Sequence, residues 1–264
     1  MQLAIAAALY SAFLWWFSTG IIFYLNARPA HTFRLSMIAA TLIVAAALYG
    51  LWVSASIESL AGTYLAFTCG LVIWGWQTMS YFMGIITGPR RKPCPAGCSG
   101  LTRFFLAIGT SLYHELLIIL TAGILVWMTW DQPNLFGLWT YLLLWGMHVS
   151  AKLNVFLGIR NLNVEFIPQR LAYLSTYFRQ APMNLLFPFS VTVGTIITIL
   201  LIQHAISLDS NPFGFVGFIL LATMMALAVI EHWFMILPIR ADALWRWSLN
   251  DDSSVERTTG QTPI

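Results

Sequence analysis

Long apolar stretches dominate the chain, and seven of them are long enough to cross a lipid bilayer. A helix rises about 1.5 Å per residue, so roughly 20 apolar residues span the hydrocarbon core. The predicted spans are residues 2–25, 35–57, 60–87, 104–130, 135–159, 185–207 and 213–239. They leave no room for a soluble domain. The sequence therefore predicts an all-α, polytopic integral membrane protein with one domain, residues 1–249.

Composition agrees with this class of protein. The chain is 59% hydrophobic and only 9% charged, whereas soluble domains are about a quarter charged. Residues 250–264 are polar and are predicted to form a disordered tail. The sequence has no phosphate loop, nucleophile elbow or nucleic-acid motif. We expect membrane lipids, and no nucleic acid, among its partners.

The basic residues predict the orientation of the seven spans. Those outside the spans fall in the first, third and fifth connections and in the tail: Arg28, Arg34, Arg90, Arg91, Lys92, Arg103, Arg160, Arg170, Arg179, Arg240, Arg246 and Arg257. The second, fourth and sixth connections contain no Lys or Arg. By the positive-inside rule, the N-terminus is periplasmic and the C-terminus cytoplasmic.

A short helix is predicted to lie on the cytoplasmic surface of the membrane. Ile167, Leu171, Leu174 and Phe178 recur at helical spacing, and Pro168 suits a first helical position. Basic residues around this helix form a candidate docking face, which we define as Arg90, Arg91, Lys92, Arg170 and Arg179. Two explanations of these basic residues stay open: the ordinary positive-inside bias of membrane proteins, and a docking surface for an acidic partner.

Two cysteines lie in the basic third connection, Cys94 and Cys98. Thiols on the cytoplasmic side stay reduced. Two cysteines are also too few for a tetrahedral zinc site. We expect free thiols in a flexible loop.

Ionisable residues interrupt three of the predicted spans. A charge at the bilayer centre costs about 2.5–3.5 kcal/mol even on the lenient scale, so such residues normally pair or hold a ligand. Their distances along the helices place them at one level in the cytoplasmic half. The predicted polar cluster comprises Gln77, Glu115, Lys152, Asn154 and Glu231, with His114, His148, His232 and Trp145 as candidate cofactor-binding residues.

Four interpretations of this cluster remain open at the level of sequence. In the first, Lys152 forms an electrostatic lock between Glu115 and Glu231. In the second, a histidine ligates a haem iron or a chlorophyll magnesium. In the third, carboxylates and histidines hold a metal ion, and in the fourth the residues line a proton or substrate pathway. The histidine boxes typical of desaturases are absent. We assign no catalytic residue and no metal ligand from sequence alone.

Several sequence segments of the chain resemble PuhE, a family of photosynthetic complex assembly proteins in purple phototrophic bacteria. The most specific is Ala151–Gly158; the others are residues 14–20, 64–69, 74–91, 113–115, 144–147, 182–184 and 186–188. The resemblance implies a multi-pass protein of the inner membrane, cytoplasmic or intracytoplasmic. It would help to build the reaction centre or its core antenna through protein contacts and contacts with a pigment such as bacteriochlorophyll.

The resemblance transfers no active site to this chain. The function we expect is that of an assembly factor or accessory subunit without enzymatic turnover. The alternative is an integral membrane enzyme that acts on a lipid, quinone or pigment through the His/Glu cluster. The cofactor is unknown, with bacteriochlorophyll and haem as the candidates.

Overall fold

A computed structural model describes residues 1–162, 167–208, 210–238, 244–245 and 247–248. Among them it has seven long α-helices: α1 (Gln2–Asn26), α2 (Phe33–Ala55), α3 (Leu60–Phe82), α4 (Gly100–Met128), α5 (Phe136–Leu157), α6 (Leu186–Ser207) and α7 (Pro212–Phe234). The all-α fold is thus confirmed. The predicted tail, 250–264, lies outside the described residues.

Five of the seven helices are both long and apolar enough to cross a membrane: α1, α2, α4, α6 and α7. The other two, α3 and α5, have 23 and 22 residues. Each packs against several neighbours, α3 against α1, α2, α4, α5 and α7. Because such central helices face protein more than lipid, they tolerate a lower mean hydropathy.

The connections that lack basic residues meet at one end of the bundle. Asn134, after α4, donates its side-chain Nδ2–H to the carbonyl of Ser54 at the end of α2 over 2.9 Å. Near the start of α3, the Thr63 hydroxyl donates to the carbonyl of Phe213 at the start of α7 over 3.3 Å.

The basic connections meet at the other end, which we call the basic end. Here Arg170 donates to the carbonyl of Asn26 at 2.8 Å, and Arg103 donates to the carbonyl of Phe156 at 2.6 Å. The helices therefore alternate in direction, as the distribution of Lys and Arg along the chain predicts.

Two glycines allow α3 and α5 to pack closely. A Cβ atom on Gly70 would lie 2.4 Å from the carbonyl oxygen of Gly137, and one on Gly137 would lie 2.7 Å from the carbonyl oxygen of Ala66. Small residues permit such close backbone approach in helical membrane proteins. This contact sets the distance between the two helices that carry much of the polar cluster.

The predicted surface helix is a 3-10 helix, Gln169–Tyr177, and its buried face differs from the expected one. Leu171, Leu174 and Tyr177 are buried, at a spacing of three residues. The prediction used α-helical spacing and placed Phe178 on this face and Tyr177 at the membrane boundary. It was wrong because a 3-10 helix has three residues per turn, so positions i, i+3 and i+6 align.

The structure places the sulfur atoms of Cys94 and Cys98 within disulfide-bonding distance of each other, whereas the sequence predicts free thiols in a flexible loop. The loop between them turns at Gly97, whose φ of +76° is a conformation that glycine adopts readily. Residue spacing alone does not reveal the turn that brings the two cysteines together.

Candidate functional site

An ion pair joins α4 to α5 in the interior of the bundle. The Lys152 ammonium bonds to Oε1 of Glu115 and donates to the Ser111 hydroxyl at 2.8 Å. The Lys152 and Glu115 side chains are 36% and 24% exposed, so the pair lies in a cleft between the helices.

Two histidines lie beside this ion pair. The ring centroids of His114 and His148 are 5.8 Å apart, and Nε2 of His148 lies 3.9 Å from Oε1 of Glu115. One potential ligand atom from each of His114, Glu115 and His148 lies within 4.8 Å of the others. We define the α4–α5 site as Ser111, His114, Glu115, His148 and Lys152.

Each histidine of the α4–α5 site has one ring nitrogen without a hydrogen-bond partner. Nδ1 of His114 and Nε2 of His148 are buried and form no hydrogen bond within the protein. Nearly all buried polar atoms in proteins have a partner, so an orphaned one calls for a ligand, water or ion. Nε1 of Trp145, on the same face of α5, is likewise buried and unpaired.

Aromatic rings of α3 line the α4–α5 site. The Tyr81 ring lies 4.6 Å from the His114 ring, and the Trp74 ring packs edge-on at 5.4 Å from His148. The Lys152 ammonium lies 6.0 Å from the Tyr81 ring. These rings fix the orientations of both imidazoles.

The chain after α3 folds back onto the middle of α4. The backbone N–H of His114 donates to the carbonyl of Thr87 at 2.9 Å, and the backbone N–H of Arg90 donates to the carbonyl of Gly109 at 3.1 Å. Non-helical backbone at this depth is tolerated where it is buried in protein or lines a cavity. The helix in the third predicted span, 60–87, therefore ends at Phe82, and the residues that follow form this non-helical segment.

Gln77 belongs to a neighbouring polar group rather than to the α4–α5 site. Its Nε2–H donates to the Thr121 hydroxyl at 2.7 Å, and its Oε1 lies 2.7 Å from the Tyr141 hydroxyl. These bonds tie α3 to α4 and α5 on the side of the site away from the basic end.

Glu231 and His232 lie apart from the α4–α5 site. Glu231 is exposed and accepts a hydrogen bond from Nε1 of Trp15 on α1 at 3.0 Å. Nε2 of His232 lies 2.9 Å from the Ser150 hydroxyl, and Nδ1 lies 2.8 Å from the carbonyl of Ala228. The structure thus pairs Lys152 with Glu115 and not with Glu231.

Asn154 connects α5 to α6 close to His232. Its Nδ2 donates to the carbonyl of Ser150 and to the Ser190 hydroxyl, both at 3.0 Å. Asn184, before α6, donates to Oδ1 of Asn154 at 3.1 Å. The predicted single cluster is therefore divided between opposite faces of α5.

An apolar groove of about 680 Å³ runs between α5, α6 and α7. It lies on the face of α5 opposite to His148, and Gly146 forms part of it. Its described lining contains no charged side chain, and its hydroxyl groups come from Ser150 and Ser190. We call it the α5–α6 groove.

Two of the five residues of the candidate docking face hold the fold together. Arg90 donates through Nε to the Tyr177 hydroxyl at 2.6 Å. The Arg170 guanidinium lies 4.1 Å from the Phe33 ring centroid, and partial burial lowers its pKa from the ordinary value. Arg91, Lys92 and Arg179 are exposed.

Comparison with known proteins assigns the chain to a family. A family model described as "Protein of unknown function (DUF3623)" matches residues 1–256. The chain belongs to the DUF3623 family. A relative from Rhodobacter capsulatus, described as an uncharacterised 30.4 kDa protein in the puhA 5′ region, is 37% identical over 268 residues, with 97% of each chain covered.

That relative lies in the puhA 5′ region, and the resemblance of this DUF3623 protein to the PuhE family is confirmed. No solved structure matches the chain.

Ser111, Ser150 and Trp15 are among the residues of these polar groups that were not predicted from the sequence. Ser111 precedes Glu115 by four residues, so helical spacing alone places it on the face of the ion pair. Ser150 and Trp15 had no comparable signal, because serine and tryptophan are common in membrane helices and only the packing shows which partner each one has.

Proposed function

We propose that this DUF3623 protein is a membrane assembly factor or accessory subunit for the bacterial photosynthetic reaction centre or its core antenna. The observation that carries the proposal is the relative in the puhA 5′ region, which aligns over 97% of this chain. The apolar helices are in keeping with a location in the inner membrane, cytoplasmic or intracytoplasmic.

The proposed topology has seven membrane spans, with the N-terminus in the periplasm and the C-terminus in the cytoplasm. Two observations support it: the alternating direction of the seven helices, and the gathering of basic connections at one end of the bundle. The basic end then faces the cytoplasm, where positive residues are retained.

Partner subunits would dock on the exposed cations of the basic end. Arg91, Lys92 and Arg179 are exposed, unlike Arg90, whose guanidinium bonds to Tyr177. An acidic surface on a partner would be attracted to these three side chains and oriented by them.

The α5–α6 groove is the proposed place of contact with a pigment. Its volume of about 680 Å³ and its uncharged lining suit a long hydrocarbon chain with a neutral polar head. The tail of bacteriochlorophyll has this chemistry. The groove lies opposite to His148, so tail binding there does not require ligation of the magnesium by that residue.

A gene deletion in a phototrophic host tests the proposed function. The deletion strain should accumulate less reaction centre or core antenna, measured by the near-infrared absorption of its membranes, and the native gene should restore the level. Tagged protein should also co-purify with reaction-centre or antenna subunits. Unchanged complex levels together with no co-purification would contradict the proposal.

A charge-removing variant tests the docking surface. The triple variant Arg91→Ser, Lys92→Ser, Arg179→Ser should insert normally and lose most of the co-purifying subunits. The matched control, Arg91→Lys with Arg179→Lys, preserves the charges and should retain the subunits. Equal recovery with both variants would exclude the basic end as the contact surface.

One observation favours the alternative function, an integral membrane enzyme acting on a lipid, quinone or pigment. The Ala228 carbonyl can only accept, so Nδ1 of His232 carries the proton and Nε2 accepts from Ser150. A hydroxyl activated by a neighbouring histidine is the arrangement of a nucleophile and its base. Ser150 also lines the α5–α6 groove.

The reaction that fits this pair is hydrolysis of a neutral ester. Attack by the Ser150 oxygen on the ester carbonyl would transfer the hydroxyl proton to His232 and then to the leaving alcohol, and water would release the acid from the acyl-serine. A fluorophosphonate probe should label the protein, and Ser150→Ala should abolish labelling. Ser190→Ala is the control, because Ser190 lines the same groove without a histidine partner. Failure to label excludes the enzyme.

A further inference from the structure

We infer that His114, Glu115 and His148 bind one transition-metal ion of the zinc or ferrous-iron class at the α4–α5 site. The inference is independent of the proposed role in photosynthesis, because it concerns the chemistry of these side chains alone. It differs from pigment binding in the α5–α6 groove, which lies on the other face of α5.

The donor set suits such an ion. Two imidazole nitrogens and one carboxylate oxygen are ligands that Zn²⁺ and Fe²⁺ accept, with positions left for water or an exogenous ligand. The three ligand atoms lie within 4.8 Å of one another. Ligands about 2.0–2.2 Å from a common ion are roughly 3–4 Å apart. Small side-chain rotations therefore close the site.

The orphaned histidine nitrogens point independently to a ligand. His114 is 1% exposed, and its Nδ1 has no hydrogen-bond partner. The His148 side chain is 27% exposed, but its Nε2 atom is likewise buried and has no hydrogen-bond partner. Nε2 of His148 lies 3.9 Å from the Glu115 carboxylate, whose negative charge attracts a cation. An ion would satisfy the unpaired nitrogen of each ring at once, whereas removing these nitrogens from water with no partner costs free energy.

The surroundings give the ligands fixed positions. Tyr81 packs on His114 and Trp74 on His148, while the backbone N–H of His114 is held by the carbonyl of Thr87. Packing and hydrogen bonds of this kind orient the ligands of metal sites. Lys152 bonds to Oε1 of Glu115 and so holds the carboxylate in place, with that oxygen 3.9 Å from Nε2 of His148.

Lys152 also carries a charge that opposes a bound cation. Its ammonium and the Glu115 carboxylate form a neutral pair, so a dication adds net positive charge to the site and is repelled by the ammonium. Replacing Lys152 with an uncharged residue should therefore tighten metal binding. If Lys152 instead serves as an electrostatic lock, the same substitution should lower the stability of the metal-free protein, since it leaves Glu115 unpaired. The two roles can be separated in one variant.

The test begins with full-length protein purified in detergent with a tag that lacks histidine. Elemental analysis should find about one equivalent of a first-row transition metal per chain. Titration of metal-stripped protein with Co²⁺ should produce visible ligand-field absorption. His114→Gln and His148→Gln keep polar side chains of moderate size, so folding can be checked, and each should weaken Co²⁺ binding by more than about 100-fold, the upper figure for outer-shell partners.

Two further variants complete the experiment. His204→Gln is the matched control, because His204 lies on α6 against Phe218, outside the site, and it should bind Co²⁺ like the native protein. Lys152→Met should bind Co²⁺ more tightly, and the ion should raise its unfolding temperature more than that of the native protein.

Three outcomes would overturn the inference. The first is no metal in the purified protein with no response to Co²⁺, which would mean that water satisfies the histidines. The second is undiminished binding in both glutamine variants. The third is a Soret or far-red band that accompanies the metal, which would assign it to a tetrapyrrole.

Discussion

Lys152 on α5 bonds to Glu115 on α4, and the same ammonium reaches the Ser111 hydroxyl one turn earlier at 2.8 Å. The pair links α4 to α5 across the cleft between them. Glu231, the other carboxylate in the spans, bonds instead to Trp15 on α1. Lys152 therefore neutralises one carboxylate only.

Lys152→Met should destabilise the metal-free protein, because it leaves the Glu115 carboxylate without a cation. Breaking a fully buried pair costs ~3–5 kcal/mol. Here the side chains are 36% and 24% exposed, so we expect about 1–3 kcal/mol, since solvent screens the remaining charge. Denaturant unfolding of metal-stripped protein in detergent measures the change.

The double variant Lys152→Met with Glu115→Gln is the control for that prediction. It removes both charges and should recover most of the lost stability. If Lys152→Met alone unfolds like the native protein, the ion pair contributes nothing to the fold.

Gly137→Ala should destabilise the contact between α3 and α5. The added methyl group would lie 2.7 Å from the Ala66 carbonyl oxygen, so the helices must separate. Overpacking of this kind costs about 1–3 kcal/mol. Gly123→Ala on α4 is the matched control, because nothing lies within 4 Å of its added methyl. Equal unfolding free energies for the two variants would show that the glycine contact is dispensable.

The seven helices could be predicted from the sequence, because apolar length is a direct consequence of bilayer thickness. Their ends could not be predicted as well. The third predicted span ran to residue 87, whereas α3 ends at Phe82. Apolar residues such as Ile85 and Ile86 continue the hydrophobic run, but Gly84 adopts a φ of +71° and the chain turns back toward α4.

The partners of the polar residues in the bundle could not be predicted from the sequence. Counting residues along each helix gives depth and says nothing about which neighbour a side chain faces. Ser150 and Lys152 are two residues apart, so they lie on different faces of α5, one toward His232 and the other toward Glu115. Helix order in the bundle decides these partners, and no local pattern reports it.

Reporter fusions test the proposed topology. A fluorescent protein that folds only in the cytoplasm should fluoresce when fused after Arg103 or at Ile264, since the proposed topology assigns both positions to the cytoplasmic side. The same reporter fused within residues 131–134 should be dark. A periplasmic reporter at the same positions should give the opposite pattern. Cytoplasmic fluorescence from residues 131–134 would contradict the seven-span model.

Gly146→Leu should exclude the proposed hydrocarbon-chain ligand from the α5–α6 groove without disturbing the fold. Gly146 lines the groove, and no atom lies within 4 Å of a Cβ added there. A leucine side chain would therefore occupy the space that a hydrocarbon chain needs. Gly123→Leu is the matched control, because the position is equally open but lies on α4, away from the groove.

The measurement is photolabelling with a photoreactive long-chain alcohol, whose neutral head and single chain match the groove. Native protein should be labelled on α5 and α6 near Met147 and Val193, and Gly146→Leu should lose that labelling while Gly123→Leu keeps it. An unselective surface would be labelled equally in all three proteins, since lipid-facing helices contact the probe everywhere. Loss confined to the Gly146 variant identifies the groove as a binding site, because only a ligand lodged between the helices is excluded by a side chain that projects into it.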